Sequence, residues 1–100
     1  MLVRIGRAKD VQMGKMRAFK VAGTPVNVVS ADGNLYAIDD TCTHQGCSLA
    51  RGQLTGTTVT CACHGSQFDV TSGAVLRGPA EEPVRSRKVE IRGEDLLAEA

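Results

Sequence analysis

Apolar and polar residues alternate along most of this chain, and nowhere do apolar positions recur at the spacing of a capped amphipathic helix. Leu2, Val3, Arg4 and Ile5 predict a short strand, and Ala8 to Lys15 reads as a polar connection. From Met16 to Val21 a second strand puts Phe19 and Val21 on one face, with Arg17 and Lys20 solvated. Ala22-Gly23-Thr24 turns the chain into Pro25–Ser30, where Val26, Val28 and Val29 favour a strand. Asp32-Gly33 follows, a hairpin signal because both residue types tolerate positive φ, and Leu35–Asp39 returns. The first forty residues therefore predict an antiparallel meander. After residue 80 the pattern resumes. Val84–Ile91 reads as one strand, and Gly93-Glu94-Asp95 turns it into Leu96–Ala98. The fold class is all-β, built as two sheets or a small barrel.

Between these halves, residues 41–80 break the alternation with six glycines and carry every soft or borderline metal-ligand side chain of the protein. All four cysteines and both histidines lie within the 23 positions from Cys42 to His64, and none occurs among the other 77 residues. Thiolate and imidazole are the groups that bind transition metals and iron–sulfur clusters. The pattern is Cys42-x-His44, sixteen residues, then Cys61-x-x-His64, with Cys47 and Cys63 interleaved. A disulfide scaffold would use the cysteines but leaves the tightly spaced histidines unexplained. A structural zinc site is the second alternative, yet zinc modules usually pair like with like along the chain. Here each loop offers one cysteine and one histidine, the arrangement that suits a two-metal cluster straddled by both loops.

Composition narrows the function further. One hundred residues suit a single domain, and an apolar fraction of 42% is ordinary for a globular chain. A net charge of +1 and only three aromatic residues give no footprint for nucleic acid or an anionic membrane. Arg4 and Arg7 interrupt the N-terminus, and no run approaches the roughly 20 apolar residues of a membrane span. Taken as complete, the chain is expected to be soluble and cytoplasmic. Arg85, Arg87 and Lys88 read as a solvated strand face, with docking of an acidic partner as the alternative.

At the Cys42–His64 constellation the chain resembles the Rieske [2Fe–2S] family, in which two histidines replace two cysteines on one iron. The likeness extends over nearly the whole chain, from Gly14 and the Asp-Gly hairpin to Leu49-x-x-Gly52, Phe68-Asp69 and Gly78-Pro79-Ala80. It implies a single Rieske domain over 1–100, a basal antiparallel β-sandwich with a smaller cluster-binding β unit, about 41–80, inserted in it. One [2Fe–2S] cluster would have Cys42 and Cys61 on its inner iron and His44 and His64 on its outer one. Cys47 and Cys63 match a pair that forms a disulfide in one branch of the family. Ser66 matches a serine whose hydroxyl donates to a cluster sulfur, Gly46 and Gly65 let the loops wrap closely, and Pro79 belongs to a third, covering loop.

Three residues depart from the pattern of respiratory members. Phe68 stands where those proteins carry tyrosine, so one hydrogen bond to sulfur is missing and the implied potential lies inside the family's range of about −150 to +300 mV. Gln45 replaces an apolar residue that helps quinol-oxidising members enter a membrane-protein pocket. Ala62 replaces a common proline. With both histidines committed as ligands, no Ser/His/Asp set is possible. The resemblance therefore implies an electron carrier, a monomer without catalytic residues. A flavin-dependent reductase would be the donor and a terminal Rieske oxygenase acting on aromatic compounds the acceptor. Partners would dock at His44, His64, Gln45 and Pro79. The alternatives are a small Rieske subunit of a nitrite reductase or arsenite oxidase type of enzyme, and a zinc-binding structural module.

Overall fold

Three antiparallel sheets account for nearly all regular structure in the computed structural model, which describes residues 1–100. The strands are β1 (Leu2–Arg7), β2 (Met16–Val21), β3 (Thr24–Ala31), β4 (Asn34–Asp39), β5 (Gln53–Thr55), β6 (Thr58–Thr60), β7 (Gln67–Asp69), β8 (Val75–Arg77), β9 (Ser86–Arg87), β10 (Val89–Arg92) and β11 (Asp95–Glu99). Their sheet orders are β1-β11-β10, β2-β3-β4-β9 and β5-β6-β7-β8. Two single 3₁₀ turns, Ala8–Asp10 and Leu49–Arg51, are the only helical pieces, and no helix is long and apolar enough to cross a membrane.

The meander forms as the alternation predicts. Phe19 pairs with Val26, and Val28 lies opposite Arg17 on one side and Ala37 on the other. Asp32 and Gly33 turn the β3–β4 hairpin with φ of 52° and 77°, the double positive φ that a two-residue loop of this hand requires. Central strand β3 is buried from Val26 to Ala31, so both of its faces pack. Val26 and Val28 face a core shared with Val11, Val21, Ala37, Leu96 and Ala98, between the second sheet and the first. Val29 and Ala31 face the opposite way, into a core that includes Ile38, Leu49, Val59, Phe68, Val70 and Val84. The first pair of sheets makes the expected sandwich. The third sheet is built wholly from residues 53–77 and packs on the sandwich's other side.

Two readings of the C-terminal segment need correction. Val84–Ile91 is not one strand but two, because the chain changes sheets at Lys88: β9 pairs with β4, whereas β10 pairs with β11. Glu99 holds the crossing point, donating its N–H to Lys88 O at 2.9 Å while its carboxylate accepts from Lys88 N–H at 3.2 Å. That second bond keeps the Glu99 carboxyl below its ordinary pKa. Because β10 is an edge strand, Ile91 remains half exposed despite its apolar side chain.

Arg87 is the second correction. Its side chain is only 5% exposed; Nε donates to Asp39 Oδ1 at 2.7 Å and Nη1 to Glu99 O at 2.9 Å, so one guanidinium ties the two sandwich sheets together. Asp39 keeps 27% exposure and can be resolvated when its partner is lost. Arg87→Met is therefore expected to cost about 1–3 kcal/mol, less than a fully buried pair. At fixed cofactor loading, thermal unfolding should fall by roughly 4–8 °C per kcal/mol. An unchanged melting temperature would show that the pair contributes nothing net.

Candidate metal centre

Two six-residue loops, Cys42–Cys47 and Cys61–Ser66, share one backbone design. In each, the first residue's N–H donates to the sixth residue's carbonyl, at 2.8 Å for both Cys42→Cys47 and Cys61→Ser66. The fifth residue's N–H returns to the first carbonyl, Gly46→Cys42 at 2.9 Å and Gly65→Cys61 at 3.1 Å. Both fifth residues are glycines with φ of 78° and 79°, a conformation that side-chain-bearing residues rarely adopt. The shared design is legible in the sequence once C-T-H-Q-G-C is written above C-A-C-H-G-S, because the glycines align. Between the closing bonds, the N–H groups of His44, Gln45, Cys63 and His64 make no backbone hydrogen bond, which leaves donors on each loop for a bound anionic group.

The donor set is divided by depth. Cys42 and Cys61 are free thiols, each 3% exposed, and belong to the core that contains Leu49, Val59 and Phe68. His44 and His64 are exposed, and their rings meet edge to face with centroids 5.2 Å apart. Cys47 and Cys63 join the loops in a disulfide with a Cα–Cα distance of 6.5 Å. Its two sulfurs and Cys61 Sγ all lie within 4.8 Å of one another, but a cystine has no thiolate to give and so is no ligand set. The free donors are two thiols inside and two imidazoles outside. This is the set a Rieske cluster takes.

A third segment covers the pair. Gly78-Pro79, joined by a cis bond, leads to Ala80, whose N–H donates to the buried Ser66 Oγ at 3.0 Å. That bond uses the hydroxyl as acceptor and leaves its proton free to donate elsewhere. From the other loop, Thr43 Oγ1 donates to Glu82 O at 2.7 Å. The covering segment is thus fastened to both loops. Pro79 is exposed beside them, as is Gln45 at the tip of the first loop, and Phe68 is fully buried beneath. Sequence reasoning missed Thr43, and it placed Ala80 in the covering loop without its bond to Ser66, since a threonine and an alanine carry no signal of a partner 39 or 14 residues away.

The profile of the Rieske [2Fe-2S] domain matches residues 1–88. The chain belongs to the Rieske family. Its cofactor is accordingly a Rieske-type [2Fe–2S] cluster, and the divided donor set fits it. Over 98 residues this Rieske chain is 32% identical to the ferredoxin component of biphenyl 2,3-dioxygenase from Rhodococcus jostii (strain RHA1), covering 98% of this chain and 92% of that one. Among solved structures it resembles the ferredoxin of carbazole 1,9a-dioxygenase from Nocardioides aromaticivorans IC177, with a TM-score of 0.91, 31% identity and coverage of 98% and 96%. A chain in the complex of reduced oxygenase and oxidized ferredoxin of carbazole 1,9a-dioxygenase matches with a TM-score of 0.88, 31% identity and coverage of 97% and 91%.

Proposed function

We propose that this Rieske protein is a soluble, monomeric, cytoplasmic one-electron carrier. It would accept electrons from a flavin-dependent reductase and deliver them to a terminal Rieske oxygenase that acts on aromatic compounds. The observation that carries the reading is the division of donors, with two exposed imidazoles side by side and two thiols buried behind them. When bound, the cluster takes up and releases one electron. In this reading residues 1–100 are one domain, and residues 41–80 form its cluster-holding unit. Cys42 and Cys61 hold the inner iron, and His44 and His64 hold the outer one at the surface. Gly46 and Gly65 would let their loops turn N–H groups toward the site, and the Ser66 hydroxyl, whose proton the Ala80 bond leaves free, would donate to it. His44, His64, Gln45 and Pro79 make the rim that a partner meets. The similarity to ferredoxin components of dioxygenase systems supports both the role and the oxygenase partner.

The test is reconstitution. With a flavin reductase, a terminal oxygenase and an aromatic substrate, adding this protein should make product formation depend on its concentration. Electron delivery that is unchanged in its absence would refute the reading. A second reading, a small subunit of a larger oxidoreductase, is favoured by the Cys47–Cys63 bridge and by Ser66. It predicts that the natively expressed chain elutes with a large subunit, whereas the carrier elutes as a free chain of 10.6 kDa.

Phe68 gives a further handle. Its ring is fully buried in the core that also holds Cys42 and Cys61, and the tyrosine that respiratory members of the family carry at this position supplies a hydroxyl to a ligand sulfur. A hydrogen bond to a sulfur favours the reduced state. At about 1 kcal/mol for such a bond, Phe68→Tyr is expected to raise the midpoint potential by roughly 40 mV. Redox titration decides it, and a fall in potential would mean the hydroxyl points elsewhere.

A further inference from the structure

The two ligand loops are alike, but their supports are not. Loop Cys61–Ser66 crowns a regular hairpin: Thr60 pairs with Gln67 immediately beneath it, and Gln67 Nε2 donates to Thr60 Oγ1 at 3.2 Å. Loop Cys42–Cys47 has no hairpin. Strand β4 ends at Asp39, the returning chain enters the 3₁₀ turn at Leu49, and one isolated bridge, Thr41–Ser48, is the only pairing between them.

A side chain fills that gap. Asp40 is 4% exposed, and each of its polar groups is used. Its N–H donates to Pro25 O at 3.0 Å, and its carbonyl accepts from Leu49 N–H at 2.7 Å. Oδ2 accepts from the Ser48 hydroxyl at 2.5 Å, and Oδ1 accepts from Ala50 N–H at 2.8 Å. Ser48 occupies the cap position of the Leu49–Arg51 turn yet makes no side-chain cap bond there. Asp40 takes over that task from across the loop, satisfying an N–H that the short turn leaves open. Both carboxylate oxygens are therefore spent on Ser48 and Ala50, two of the three residues that directly follow Cys47.

We infer that Asp40 is the positioning residue of the first loop, a side-chain substitute for the ladder that supports the second, and that it sets where Cys42 and His44 stand. The inference rests on those two residues being ligands. The role is one of geometry. An asparagine can fill it, since its amide oxygen accepts from Ala50 N–H and its amide nitrogen donates to the Ser48 oxygen. Leucine, of similar size, can do neither and leaves two part-buried donors without their protein partner.

The experiment compares hydrogen exchange in the peptides spanning the two loops, and the reduced-state EPR spectrum, for the iron-loaded full chain and its variants. Asp40→Leu is expected to speed exchange over residues 42–50 by about tenfold or more, with residues 61–66 unchanged, and to shift or broaden the EPR lines. Ser48→Ala, which removes one of the two bonds, should speed the first loop alone by about threefold, and it keeps the test available if the leucine variant does not fold. Asp40→Asn should match the parent in both readouts. Equal acceleration in both loops, no acceleration in either, or an asparagine variant that behaves like leucine would each overturn the inference. Iron content separates this from failure of the ligand assignment: a parent chain that binds no iron refutes the ligands, while the exchange asymmetry is still read.

Discussion

Cys61→Ser and Cys42→Ser are each expected to give colourless protein, with iron falling from about two atoms per chain to near zero and no EPR signal after reduction. A serine hydroxyl is almost never ionised at neutral pH and is a harder, poorer ligand than thiolate for an iron–sulfur centre. The position compounds the loss. Each thiol is 3% exposed within an apolar core, so water cannot easily take its place. His44→Ala and His64→Ala should lose the cluster as well, although their exposed sites can admit solvent in place of the ring. The paired variant Cys47→Ser/Cys63→Ser separates ligands from braces, because it should still be purified with two irons and the parent colour. Its cost depends on loading. The bridge closes a loop of 16 residues, which corresponds to about 3 kcal/mol in the chain without iron. With the cluster bound to both loops that closure is already made, and the measured cost should be much smaller. Retention of iron by either core-cysteine variant, or its complete loss from the double variant, would reassign the four ligands.

How much of this was legible before the structure depends on the range of the interactions. Strand β2 falls on the residues that the alternation picks out, Met16–Val21, because a half-buried strand writes its two faces directly into the sequence. The Asp32-Gly33 hairpin is equally local. The six ligand-type residues stand out by chemistry alone, and writing one loop above the other already reveals their shared turn. By contrast, the third sheet consists of strands three residues long, too short for any period to register, and only Thr58–Thr60 signals itself. Arg87 and its neighbour Lys88 look alike in sequence. One is buried by an ion pair with Asp39, 48 positions away, and the other stays exposed at the sheet crossing. Asp40 was hidden for a similar reason: an acidic residue after a strand reads as a turn, and its clamp on Ser48 and Ala50 exists only once the loop has closed.

Glycine carries the other large effect. Gly73→Ala is expected to destabilise the protein by about 3 kcal/mol or more, whereas Gly56→Ala should cost only about 1–2 kcal/mol. Both have positive φ, 85° and 59°, so both lose the conformational freedom that only glycine has. They differ in what a Cβ would meet. At Gly56 nothing lies within 4 Å, while at Gly73 the new carbon would fall far inside van der Waals contact distance of the Val84 carbonyl oxygen. The backbone cannot yield easily, because Val84 N–H donates to Gly73 O at 2.9 Å and Gly73 N–H donates to Asp69 O at 2.7 Å. Val84 follows directly on the covering segment fastened to Thr43 and Ser66, so the strain is delivered to the site rather than to a remote turn. Gly52→Ala makes the control for geometry without φ: its φ is −83°, ordinary for any residue, yet its Cβ would strike the Thr60 carbonyl just before Cys61. Thermal or denaturant unfolding should rank the costs with Gly56→Ala lowest, and Gly73→Ala and Gly52→Ala well above it. The two crowded variants should also release iron faster than the parent, whereas Gly56→Ala releases it at the parent rate. Equal costs at all three positions would mean that backbone conformation, and not the close approach of chain to chain around the metal loops, is what these glycines supply.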